Sequence, residues 1–258
     1  MIERGKRGAE IEEMRSGGWC AACNRSHLLP AGPVLSDCHA LMSHLSRVKR
    51  IDGLEAPCGD DPRCATRPLF ETGGGKMFGL LSCRDDAGKR VVLRAFSGQL
   101  NGLWQVAGWV GPIFDVKRFD TLVAEPDRAI KALGQRLQRC EPVSVEYREL
   151  KRKRRQLSQE LMQAIHALYT LRNFRGESAP LIQVFQGKGM PPAGTGDCCA
   201  PKLLHHAACH GLRPEGLVEF YWGTTNHSQT KRHGQLYVAC EAKCQPILGF
   251  QLCGGVDV

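Results

Sequence analysis

Nowhere in the 258 residues is there an apolar run approaching the ~18–20 that a membrane-spanning helix requires. The amino terminus, Met1-Ile2-Glu3-Arg4-Gly5-Lys6-Arg7, is charged and has no apolar stretch behind it, so no secretory leader is expected. Both absences predict a soluble, cytoplasmic chain without a membrane partner. A nucleotide phosphate loop is lacking too: Gly73-Gly74-Gly75-Lys76 is followed by Met77, where Ser or Thr would be needed to hold magnesium. Acidic residues are scarce, 26 against 35 Lys and Arg, leaving a net charge of +9. That balance suits a polyanionic partner, because each neutralised phosphate releases counterions. With 42% apolar and 24% charged residues the composition is otherwise globular, which excludes a fibrous or wholly disordered chain. The length suffices to bury a core without staples.

Cysteine, by contrast, is abundant. There are thirteen, and a reducing cytosol would leave them as thiols, metal ligands or a nucleophile rather than disulfides. Cys20, Cys23, Cys38, Cys58, Cys64 and Cys83 lie in the first third; Cys198, Cys199, Cys209, Cys240, Cys244 and Cys253 lie in the last; only Cys140 falls between. Cys20 and Cys23 form Cys-x-x-Cys, and His27 and Cys38 would complete a zinc set, with Cys58 and Cys64 as alternatives. Without a clean second pair, that group reads as structural or coincidental.

The pattern divides the chain into four parts. Residues 1–72 read as an irregular, Cys-rich segment with one short helix near 37–45, capped by Ser36 or Asp37. Residues 73–125 contain a β-hairpin, Lys76–Cys83 and Arg90–Phe96, around the turn residues 85–89; Trp104 to Phe114 reads as strand plus loop. Residues 126–175 form a helical insertion interrupted by Pro142, with Ile130, Leu133 and Leu137, then Leu157, Leu161, Ile165, Leu168 and Leu171 at helical spacing. Within it Arg148, Lys151, Arg152, Lys153, Arg154 and Arg155 make six of eight residues basic, either a solvated helix face or an arm for RNA. Residues 176–258 give the order strand (181–185), helix from Asp197, strand (216–222), strand (235–238), helix near Cys240. The fold class expected is α/β, helices layered on a sheet.

Two motifs in this last part carry chemistry. In Gly194-Thr195-Gly196-Asp197-Cys198-Cys199-Ala200-Pro201-Lys202 the glycines permit a tight loop, Asp197 is a natural N-cap and Pro201 fits a first turn. Cys198 then sits where a helix dipole favours thiolate. In Cys240-Glu241-Ala242-Lys243-Cys244 the spacing of four puts both sulfurs on one side of a helical turn, within reach of one ion. Tyr221 and Trp222 either stack a base or are half-buried strand aromatics, and His205, His206 and His210 read as a solvated helix face.

Thiolates at the starts of two helices joined by a strand pair resemble the plan of zinc-dependent nucleoside and nucleobase deaminases. The resemblance implies a deaminase-like three-layer core in which zinc activates water and a carboxylate shuttles protons. Cys198, Cys240 and Cys244 would be the ligands. Ala200 stands where those enzymes carry their glutamate, so Asp197 or Glu241 would have to supply the carboxylate. A broader likeness covers roughly residues 76–250. Lys76-Met77-Phe78-Gly79, Ala95-Phe96-Ser97-Gly98, Pro191-Pro192, Gly194 to Leu204, Glu219-Phe220-Tyr221-Trp222-Gly223 and His233-Gly234 through Cys244 and Pro246-Ile247-Leu248 resemble the amino-terminal extension of long RluA-type bacterial pseudouridine synthases. The His-Arg-Leu-Asp signature of the synthase domain does not occur, so the likeness implies a stand-alone relative of the extension with an RNA or nucleobase connection.

Three functions are therefore expected, the first foremost: a zinc-dependent deaminase-type hydrolase of a nucleobase, free or in RNA; a thiol enzyme in which His233 takes the proton of Cys198 and Asp197, Glu219 or Asn226 orients it; and a non-catalytic, zinc-stabilised RNA-binding module.

Overall fold

The computed structural model describes residues 13–54, 57, 59–71 and 74–256. Its centre is a four-stranded sheet in the order β4-β3-β7-β8, every neighbouring pair antiparallel, where β3 is Lys76–Arg84, β4 Arg90–Phe96, β7 Arg213–Trp222 and β8 Leu236–Tyr237. The β3–β4 hairpin forms where its turn chemistry places it: Asp85 Oδ1 accepts from the backbone N–H of Ala87 and Lys89 at 3.0 and 2.8 Å. β3 lies between two partners, and Phe78 to Cys83 are buried continuously.

Strand alternation sends these residues into two cores. Phe78, Leu80, Val218, Phe220 and Trp222 face α1 (Leu35–Val48) through its Cys38, Leu41 and Leu45. Leu81, Cys83 and Leu217 face α5 (Cys199–Cys209) and α6 (Gln245–Leu252) through Leu203, Leu204, Leu248 and Leu252. The result is the expected mixed α/β arrangement in three layers, with a helix or helices on each face of the sheet. Among the described residues no helix is long and apolar enough to cross a membrane.

The helical insertion is a pair of 22-residue helices, α2 (Val116–Leu137) and α3 (Val145–His166), capped by the side chains of Asp115 and Ser144. α2 begins ten residues before the sequence pattern suggests and carries Pro126 within it. Beyond α3, the short pair β5 (Thr170–Arg172) and β6 (Ser178–Pro180) joins Phe114, Tyr169, Leu171, Leu181, Val184 and Ile247 in a third core at the base of this helical arm.

Four local expectations are corrected. Residues 181–184 form a helical turn, α4, rather than a strand, since Pro180 opens it and Leu181 and Val184 bury one side. Trp104 to Phe114 contains turns and no strand. The helix expected at Cys240 begins at Gln245, after a turn. Finally, the segment expected to be irregular apart from one helix also holds an antiparallel hairpin, β1 (Arg15–Cys20) and β2 (Arg25–Pro30).

The outer face of α5 is less solvated than its histidines suggest. His205 is partly buried and its Nδ1 accepts from the backbone N–H of Arg172 at 3.3 Å. Burial, reinforced by His206, Arg172 and His210, pushes its pKa down from 6.5 to about 4. Between those values the unfolded chain binds more protons than the folded one, so stability is full above pH 6.5 and falls as the pH drops toward 4. His205→Gln is expected to reduce the acid loss by about 2 kcal/mol, allowing for partial exposure. Urea unfolding midpoints at pH 7 and pH 4.5 check it, an unchanged difference being the contrary result.

Candidate metal centre

Three sulfurs distant in sequence meet at the starts of two helices. Cys198 is the N-cap of α5 and Cys244 the N-cap of α6. The turn before α6 brings in Cys240: the N–H groups of Cys244 and Gln245 both donate to the Cys240 carbonyl at 3.1 Å, and the Sγ atoms of Cys240 and Cys244 lie 3.4 Å apart. The spacing of four thus works through one α-turn rather than through the helix itself. Cys198, Cys240 and Cys244 offer ligand atoms all within 4.8 Å of one another, a set able to hold a metal ion.

Close backbone packing makes this possible. A Cβ at Gly79 would stand 2.5 Å from Cys199 Cβ and 3.4 Å from Glu219 Cγ, so glycine at that position lets the start of α5 settle on the sheet. Further along α5, Lys202 is 1% exposed and its Nζ donates to the carbonyls of Phe96 and Gly98 at 3.0 and 3.1 Å, tying the helix to the end of β4. Burial lowers the lysine pKa.

The sulfurs share charge unequally. Hydrogen bonds from Cys198 and then Cys244 hold the Cys240 thiol far below its usual range. Cys198 is raised, first by its hydrogen bond to Cys240, and Cys244 is raised by both. Negative charge within the trio is thus favoured at the turn, on Cys240, more than at the start of α5. Three sulfurs gathered in one largely buried spot are a donor set that a soft-ligand divalent cation such as zinc would complete by displacing their protons.

The carboxylate beside this set is Glu219. It is 3% exposed on β7, and its Oε1 accepts from the Ala200 N–H, one of the free amides of the first turn of α5, at 3.0 Å. Burial first, and Cys240 with it, push its pKa up to about 7 against the opposing Ala200 hydrogen bond. Its sequence signal is a lone acid inside the apolar run Leu217-Val218-Glu219-Phe220-Tyr221-Trp222.

Asp197 and Glu241 are the carboxylates expected to serve. Asp197 accepts the hydroxyl of Tyr169 at 2.5 Å, and Glu241 is exposed in the turn. His233 packs against Phe70 and Trp222, ring centroids 5.1 and 4.3 Å away, and accepts from Gly223 N–H through Nδ1. Trp222 belongs to the core on the α1 face and Cys198 packs on the opposite face, so Cys198 and His233 are not brought together. Asn226 is taken up in its own loop by Ser228, Thr230 and Lys231. Tyr221 and Trp222 are buried, 5% and 6% exposed, and do not present a stacking surface.

Elsewhere, Cys20, Cys23 and His27 meet Cys253, not Cys38. Cys38 is fully buried between α1 and the sheet, Cys64 lies in the same core, and Cys58 lies outside the described residues. Arg148 and Lys151 to Arg155 are all exposed on α3, and among the described residues none of the six is ion-paired. No family model, no curated protein and no solved structure matches the chain.

Proposed function

We propose that the chain is a zinc-stabilised RNA-binding module, in which the α2–α3 arm holds the phosphate backbone and the three-cysteine centre fixes the base of that arm. The observation that carries the reading is the run of six exposed cations within residues 148–155 that have no ion-pair partner among the described residues. Cations engaged in local ion pairs would gain little from a phosphate, whereas these give up no carboxylate to take one. The base of the arm is fastened to the metal loop through Tyr169, three residues past α3, which bonds Asp197, the neighbour of Cys198. The likeness to pseudouridine synthase extensions points to the same class of partner by resemblance alone.

Anisotropy of a fluorescein-labelled RNA stem-loop, titrated at several salt concentrations, tests this. Replacing Arg148, Lys151, Arg152, Lys153, Arg154 and Arg155 by Gln is expected to weaken binding at least about 100-fold near 0.1 M salt. The salt slope should flatten by roughly 0.7–0.9 for each phosphate no longer neutralised. Equal affinity and slope in wild type and variant would remove the arm from the RNA reading.

One observation favours a second reading, the zinc hydrolase of deaminase type. The cluster offers three donors rather than four, the number typical of a catalytic site, and zinc held there would supply an activated water. Glu219 is then the residue suited to move protons, in place of Asp197 or Glu241. Ammonia release from cytosine- or adenine-containing nucleosides and RNA by zinc-loaded protein, abolished by Glu219→Gln with zinc retained, is the result that reading requires.

A further inference from the structure

We propose that Cys20, Cys23, His27 and Cys253 form a second zinc site, closed and structural, that fastens the C-terminal end of α6 to the β1–β2 turn. The inference needs neither the RNA reading nor the first centre. Its ligands come from the two ends of the described chain, with Cys23 and Cys253 separated by 230 positions.

The hairpin supplies three donors from one tight turn. Cys20 ends β1, and residues 21–24 turn, with Asn24 in the left-handed region at φ 54°. Cys23 thereby doubles back toward His27 on β2, its Sγ 3.0 Å from His27 Nε2. The Cys23 and Cys253 sulfurs lie 3.8 Å apart. Two sulfurs at ~2.3 Å from one zinc at tetrahedral angles would be roughly 3.8 Å apart, whereas a disulfide would hold them at ~2.05 Å. The four ligand atoms all lie within 4.8 Å of one another.

Burial argues in the same direction. Cys20, His27 and Cys253 are 1%, 1% and 0% exposed. Three thiols and an imidazole crowded into one largely buried spot satisfy one another poorly. Zinc with three thiolates and a neutral imidazole carries one negative charge, and Arg25 and Arg175 beside His27 are placed to offset it. Four protein donors leave no position for water, which makes the site structural.

The test uses the full chain. In Cys240→Ser/Cys244→Ser, which removes the first centre, about one zinc per chain is expected to remain, with an X-ray absorption first shell of three sulfurs and one nitrogen. Adding Cys253→Ser should remove it, while Cys38→Ser, at a buried cysteine outside the cluster, should not. His27→Cys keeps four donors and should keep the metal with a shell of four sulfurs, a readout that loss of folding cannot mimic. A folded Cys240→Ser/Cys244→Ser protein free of zinc, or a zinc content unmoved by Cys253→Ser, would overturn the site. So would a sulfur count unchanged in His27→Cys. The RNA titration is read separately, so either proposal can fail alone.

Discussion

Cys244→Ser is expected to release one zinc per chain and to make the protein's stability markedly less responsive to chelators. The reasoning begins with burial: Cys244 is 0% exposed at the N-cap of α6, between Cys198 and Cys240. A ligand that binds only the folded state at about 1,000 times its dissociation constant stabilises by about 4 kcal/mol. Loss of one of three thiolates would forfeit most of that. Cys199→Ser is the control, since Cys199 is equally buried one residue from Cys198 but points to the Met77 carbonyl at 3.4 Å, where a hydroxyl can donate. Zinc content and guanidinium midpoints with and without chelator give the comparison. Equal zinc in Cys244→Ser and wild type would show that the three sulfurs do not share an ion.

The juxtaposition behind this expectation is partly readable in the sequence. Cys198 and the Cys240/Cys244 pair announce themselves through local grammar: a Gly-rich loop before a helix, a Pro in the first turn, a spacing of one turn. The β3–β4 hairpin is equally legible because Asp85 and its neighbours set the turn without help from the rest of the chain. What does not show has non-local causes. Leu181-Ile182-Gln183-Val184-Phe185 is as apolar as a strand, and only its position at the base of the arm makes it helical. Glu219 and His233 both lie in the C-terminal part, yet strand alternation puts Glu219 on the cysteine face while the neighbouring Trp222 carries His233 to the other. A thiol–imidazole dyad cannot survive that, although nothing in the spacing forbids it. Proximity along the chain offers Cys38, Cys58 or Cys64 as the fourth partner of Cys20, Cys23 and His27. The partner is Cys253, which tertiary packing alone supplies.

That packing leads to the second large effect: Gly249→Ala is expected to cost at least about 3 kcal/mol and to detach the C-terminal cysteine from its site. β1 and α6 approach backbone to backbone. A Cβ on Gly249 would stand 1.9 Å from the Trp19 carbonyl oxygen and 2.7 Å from Cys20 N, and one on Gly18 would stand 2.1 Å from the Gln245 carbonyl oxygen. These neighbours are main chain, so no rotamer change relieves the clash, and the strand and helix must move apart. Overpacking in a well-filled core costs ~1–3 kcal/mol when side chains can yield, so a clash with fixed backbone belongs at or beyond the upper end. The separation would also pull at the bond from Ala239 N–H to Ser16 Oγ, 2.9 Å, which joins β1 to the segment leading to Cys240. Cys253 follows four residues after Gly249, so displacing α6 takes its sulfur away from Cys20, Cys23 and His27. Zinc content should then fall by at least about one per chain. Gly32→Ala, where an added Cβ meets nothing within 4 Å, should leave both stability and zinc unchanged. If Gly249→Ala matched wild type in unfolding midpoint and zinc content, β1 and α6 would not be in the contact from which the second site is inferred.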